Sequence, residues 1–166
     1  MIQARRLVPT VGRGALLAGL LLGAPAPVGA AEISAFLSGA TPGAAWSAGA
    51  GGMLTITLFN VVGAEVEAAR QGSELSGRSL WTLSGKAYVG PSIGRLVPYV
   101  GLGAGVYSES VPGDDDQGTY GSIFVGAKLK FPFGLVVRGE YQWLTLPETV
   151  PLPMDQRYLV GLGLAF

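Results

Sequence analysis

Apolar and polar side chains alternate along this chain with a period of two. Leu135, Val137, Gly139, Tyr141 and Trp143 interleave with Val136, Arg138, Glu140, Gln142 and Leu144. Tyr158, Val160, Leu162, Leu164 and Phe166 interleave with Arg157, Leu159, Gly161, Gly163 and Ala165. Successive strand side chains point to opposite faces, so this pattern describes strands with one apolar face. A helix would scatter the charges around its surface. Applied throughout, the rule predicts eight strands, at 32–41, 45–57, 61–69, 79–90, 97–109, 119–130, 135–146 and 155–166. Each is long enough to cross a bilayer as a tilted strand, which takes about 9–11 residues.

Proline placement agrees. Outside the first 30 residues the prolines are Pro42, Pro91, Pro98, Pro112, Pro132, Pro147, Pro151 and Pro153. All fall in predicted connections or at a strand's start, where the missing N–H costs no ladder bond.

The N-terminus reads as an address. Arg5, Arg6 and Arg13 form a positive region, 15–23 a short apolar run, and Val28-Gly29-Ala30 a small-residue cleavage site. That is a secretory signal peptide over 1–30, cleaved after Ala30 or, as a near alternative, after Ala31. The apolar run is far short of the ~20 residues a membrane anchor needs. The remaining domain, 31–166, keeps eight basic and eleven acidic residues and no apolar stretch long enough for a spanning helix. An exported chain of mean hydropathy +0.43, with only 13% charged residues, points to a membrane β-barrel. The predicted fold is therefore all-β, a closed antiparallel eight-stranded transmembrane barrel.

The side-chain inventory excludes much chemistry. With no Cys and no His there is no disulfide, thiolate metal site, Ser-His or Cys-His catalysis, or HExxH zinc site. No excess of base suggests nucleic acid. The reading is of no enzyme, no cofactor and no metal.

Connections tend to alternate in length. Those after the second and sixth strands are short (58–60, 131–134); those after the third, fifth and seventh are longer (70–78, 110–118, 147–154). Outer-membrane barrels have short periplasmic turns and longer outer loops. With the N-terminus in the periplasm, Trp46, Trp81 and Trp143 fall near the outer rim with the parity of the apolar set. Phe59, Phe131, Phe133 and Phe166 fall at the inner rim. Two aromatic girdles are what membrane interfaces favour; the alternative is the aromatic core of a soluble β protein.

The phrase at 98–107, PYVGLGAGVY, the R-x-E-Y of 138–141, and the ending Gly161 to Phe166 resemble the small eight-stranded outer-membrane barrels, the OmpA-like and opacity-like superfamily. The resemblance spans the whole of 31–166. It implies bacterial outer-membrane localisation, contact with lipid and lipopolysaccharide, and assembly by the barrel-assembly machinery. It also implies that the C-terminus carries the assembly signal, with Phe166 as the aromatic last residue, Leu164 two before it, and Gly161. Leu159 stands where that signal usually has a polar residue. The peptidoglycan-binding domain that follows the barrel in full-length relatives is not expected here.

The polar face carries charges of both signs: Glu65, Glu67, Lys86, Lys128, Lys130, Arg138, Glu140 and Arg157. An eight-stranded barrel is just wide enough for side chains to fill, and buried charges must pair. A polar plug is expected; a gated ion path is the alternative. Lys130 falls near the periplasmic mouth. The glycines of 101–105 lack nucleotide-loop spacing and read as room for side chains in a narrow lumen. Asp114, Asp115 and Asp116 read as a solvated third outer loop, with cation binding as the alternative. Functionally, the sequence suggests a structural or surface-interaction scaffold. A narrow porin and a soluble lipocalin-like barrel are the other readings. The inward charges argue against the lipocalin-like barrel.

Overall fold

The computed structural model describes residues 29–40, 47–73, 78–111, 114–145 and 156–166. Eight strands form one closed antiparallel barrel: β1 (Ala30–Ala40), β2 (Ser47–Leu58), β3 (Val62–Ser73), β4 (Arg78–Val89), β5 (Leu96–Val111), β6 (Asp114–Lys130), β7 (Leu135–Thr145) and β8 (Gln156–Ala165). Each strand pairs with its neighbours in sequence, and β8 closes on β1 through pairs from Glu32–Ala165 to Ala40–Arg157. Ala31 and Phe166 exchange two backbone hydrogen bonds, of 3.0 and 2.9 Å, at the seam. The signal peptide proposed over 1–30 lies almost wholly outside the described residues; Ala30 opens β1.

The strands match the sequence expectation closely, with two differences. β3 runs to Ser73 rather than ending at 69, because the ladder with β4 continues through Arg70–Trp81 to Ser73–Arg78. β6 starts at Asp114 rather than 119. The anticipated third outer loop is therefore mostly strand, and Asp114, Asp115 and Asp116 lie in a ladder opposite Val111, Ser110 and Glu109. Polar, turn-like composition was overridden there by pairing with a strand-forming partner.

Burial alternates along every strand. On β7, Val136, Arg138, Glu140, Gln142 and Leu144 face inward while Leu135, Gly139 and Trp143 are exposed outside. The outward face is mainly apolar and bare, as with Leu37, Leu102, Ile123 and Val160. A closed sheet with no unpaired edge and an apolar exterior is what hydrocarbon requires of a strand protein.

The glycines make the narrow interior fillable. Six inward aromatic rings lie across a glycine directly paired with them on the next strand: Phe36 on Gly51, Tyr88 on Gly63, Tyr99 on Gly126, Tyr107 on Gly118, Tyr120 on Gly105 and Phe124 on Gly101. A Cβ at Gly63 would fall 2.0 Å from the Tyr88 ring. The repeated glycines of 101–105 are thus seats for Phe124 and Tyr120, with Gly103 against Ser122 and Lys86.

The end where β1 begins and β8 ends also carries tight connections. Val61 N–H donates to Leu58 O (3.2 Å) across a turn in which Phe59 and Asn60 both have positive φ, +52° and +57°. Phe133 (φ +65°) and Gly134 (φ +80°) bend the turn between β6 and β7.

Candidate functional site

The barrel interior holds a compact cluster of ionised side chains. Four carboxylates, Glu32, Glu65, Glu67 and Glu140, meet four cations, Lys86, Lys128, Arg138 and Arg157. All eight are buried. The numbers of positive and negative charges match, which is the condition for ionising such a group away from water.

The cluster is layered along the barrel axis. Nearest the end where β1 begins, Lys128 Nζ donates to Glu32 (3.1 Å), Glu65 (3.2 Å) and the Tyr88 hydroxyl (3.2 Å). In the middle, Arg138 grips both oxygens of Glu65 (2.9 and 3.2 Å) and reaches Glu140 (2.6 Å) and the Tyr99 hydroxyl (2.9 Å). The Tyr99 O–H donates on to Glu140 at 2.8 Å. Further out, Lys86 bridges Glu67 (2.5 Å) and Glu140 (2.6 Å), and Arg157 pairs with Glu67. Gln142 joins that layer by donating to Glu67 and Glu140 and accepting from Arg157.

Register explains the arrangement. Glu65 sits opposite Lys86 on one neighbouring strand and Thr55 on the other, and the Thr55 hydroxyl donates to it at 2.9 Å. Lys128 and Arg138 are directly paired like charges on β6 and β7. That pairing is unfavourable by itself. Glu65, reaching across the lumen, ties both cations to one carboxylate. Aromatic faces add to this: Lys86 lies over Phe124 (4.7 Å), Lys128 over Tyr88 (4.8 Å) and Arg138 over Tyr99 (5.4 Å).

Beyond the ion pairs, toward the loop end, buried apolar side chains lie beside the buried polar Ser47, Gln71 and Glu109. Ala40, Leu80, Tyr107, Tyr120 and Leu144 pack as one buried group. Toward the end where β1 begins and β8 ends, the interior opens into a recess of about 290 Å³ lined by Glu32, Tyr88, Lys128, Lys130 and Phe166 among others. Among the described residues, the interior is therefore recessed at one end and ionic in its middle, with an apolar group packed beyond.

Of the eight charges expected in the lumen, seven are buried in this cluster. Lys130 stands apart: it is half-buried at the recess and forms no ion pair among the described residues. Sequence reading missed Glu32, although its parity with Ser34, Phe36 and Ser38 placed it inward. It also missed the neutral members Tyr88, Tyr99 and Gln142, which carry no charge to attract notice. Glu109 is buried as well, nearer the loop end.

On the outside, Trp81 and Trp143 are exposed toward the loop end; Trp46 lies outside the described residues. Tyr141 stacks edge-on against Trp143 (4.3 Å) and Tyr158 (4.7 Å), an outer aromatic cluster larger than the tryptophans alone. At the opposite end Phe59, Phe131, Phe133 and Phe166 are all exposed. In the C-terminal strand Leu164 faces out, and Gly161 faces in against Phe36 and Arg138. Leu159 is buried with Phe36, Met53 and Ala69.

No protein-family model matches the chain, and no curated protein matches it. Solved structures do. Neisserial surface protein A superposes with a TM-score of 0.64 at 11% identity, covering 82% of this chain and 95% of that one. The N-terminal β-barrel domain of Pseudomonas aeruginosa OprF gives 0.64 at 19% identity, covering 84% and 100%. The Yersinia pestis outer membrane protein Ail, in a phospholipid bilayer nanodisc, gives 0.56 at 15% identity, covering 84% and 100%. The chain has the fold of the small eight-stranded membrane β-barrels. Sequence identities this low carry the fold and nothing of each protein's activity.

Proposed function

We propose that this protein is a bacterial outer-membrane β-barrel that acts as a rigid structural or surface-interaction scaffold, with its lumen plugged by its own side chains. The observation that carries the reading is the filled interior. Seven ion pairs, backed by inward aromatic rings, occupy the middle of the barrel, and an apolar group packs beyond them toward the loop end. A solute would have to part both layers. The bare apolar exterior supports lipid as its surroundings, and the charged interior is unsuited to the apolar ligand of a soluble lipocalin-like barrel.

In this reading 1–30 is the export signal, and Gly161, Leu164 and Phe166 are read by the barrel-assembly machinery. The tryptophans and phenylalanines are the two interfacial girdles, and lipopolysaccharide surrounds the outer rim. Loops on a rigid scaffold supply any contact with a surface partner. The recess at Lys130 favours a second reading, a narrow porin entered from the periplasm.

Two measurements test the proposal. Isolated outer membranes, run boiled and unboiled on a denaturing gel, should show the mature band with a heat-dependent mobility shift. A soluble periplasmic protein with no shift refutes the barrel in the membrane. Planar bilayers should show no steady conductance above background. A stable channel altered by Glu140→Gln would replace the plug with the porin.

A further inference from the structure

Among the strand side chains described on the outward, lipid-facing parity, one is charged: Arg70, on β3. An arginine facing the bilayer midplane costs about 2–4 kcal/mol but only about 0–1 near an interface. Arg70 is placed for the cheaper case. It lies three residues from the loop end of its strand, directly paired with Trp81. Its guanidinium lies over the indole at 5.5 Å.

Snorkelling alone would account for tolerance. The surroundings indicate more. Among the described residues Arg70 makes no side-chain hydrogen bond or ion pair, so its fork of N–H donors is uncommitted to any of them. Its partner on β2 is Ala50, and Ala68 and Gly72 flank it on its own strand. Nothing bulky stands over it there.

Two open grooves on the outer wall meet beside it, at Ala68. One, of about 820 Å³, is almost wholly apolar and passes over Ala35 and Gly52 between Ile33, Leu54 and Leu162. The other, of about 580 Å³, runs past Leu83 and Val106 to Trp81 and ends at Ser108, Gln117 and Thr119. Apolar floor, polar upper end and a single cation at the level of the outer girdle form one amphiphilic surface.

Building on the outer-membrane reading above, we propose that Arg70 and Trp81 form a binding site for a phosphorylated, acylated glycolipid of the outer leaflet. The phosphate takes the Arg70 fork, which suits its geometry. Sugar hydroxyls meet Ser108, Gln117 and Thr119, and acyl chains lie in the grooves on either side of Ala68. Charge complementarity selects this occupant: a second copy of the barrel would set Arg70 against an apolar wall.

The test uses the protein folded in uncharged detergent, with bisphosphorylated lipid A, its dephosphorylated form and phosphatidylglycerol as probes. Retention is read by native mass spectrometry. Wild type should hold one bisphosphorylated lipid A about tenfold or more tighter than Arg70→Gln does, the scale of one charge-assisted contact. The dephosphorylated lipid should bind wild type and Arg70→Gln alike. Ala68→Phe, which fills the junction, should weaken both lipids. Equal retention by wild type and Arg70→Gln overturns the site. Equal affinity of wild type for phosphatidylglycerol overturns the glycolipid assignment. Heat-modifiability separates the two levels of the argument. Variants that still shift on boiling are folded, so lost binding belongs to the site. A wild type that never shifts overturns the membrane reading, and this site with it.

Discussion

Replacing Arg138 by Met tests whether the buried charges act as one balanced unit. Arg138 is 1% exposed, and its guanidinium holds two contacts to Glu65, one to Glu140 and one to Tyr99. Without it, four carboxylates face three cations. Glu140 keeps Lys86 (2.6 Å) and Tyr99 (2.8 Å), but Glu65 is left with Lys128 at 3.2 Å and the Thr55 hydroxyl. Removing one partner of a buried pair costs about 3–5 kcal/mol, because the other charge stays in low dielectric uncompensated. Lys128 moderates that loss, so a value near the lower end, ~3 kcal/mol, is expected. Adding Glu65→Gln restores charge balance, and the two changes should couple by about 0.5–3 kcal/mol. The assay is a reversible urea titration in lipid vesicles, followed by tryptophan fluorescence and confirmed by heat-modifiability. A loss below ~1 kcal/mol for Arg138→Met, or strict additivity in the double variant, would refute the cluster as the barrel's internal support.

Three further outcomes are expected. Gly63→Ala should cost about 1–3 kcal/mol by overpacking against Tyr88, while Gly139→Ala, with nothing within 4 Å of its Cβ position, should change stability by less than about 0.5; the same titration compares them. Leu102→Arg, at an exposed position midway along β5, should destabilise by about 2–4 kcal/mol in vesicles, and a neutral result would mean the faces are reversed. Phe59→Asn with Asn60→Gly should stabilise the detergent-folded barrel by ~1 kcal/mol, since Asn-Gly suits the two positive φ values that Phe59 and Asn60 now adopt; an unchanged thermal midpoint for the mobility shift would contradict that.

Sequence alone determined the strand number, the two faces of each strand and the apolar exterior. The reason is that strand periodicity is local: the face of Arg138 follows from its neighbours at 136 and 140. Proline and aromatic positions located the turns and rims for the same reason. Strand ends were less legible. Asp114 to Asp116 look like a loop by composition, yet they continue β6 because β5 extends far enough to pair with them.

Which charges meet depends on the closed barrel. Lys128 and Glu32 are 96 residues apart, and Arg157 and Glu67 are 90 apart. Closure of β8 on β1 and the stagger of eight ladders set those encounters, and no local pattern encodes a stagger. Closure also turned the polar faces inward together, joining Glu32 and the uncharged Tyr88, Tyr99 and Gln142 to the ionic cluster. It left Arg70 outside, over Trp81, apart from the ionic cluster.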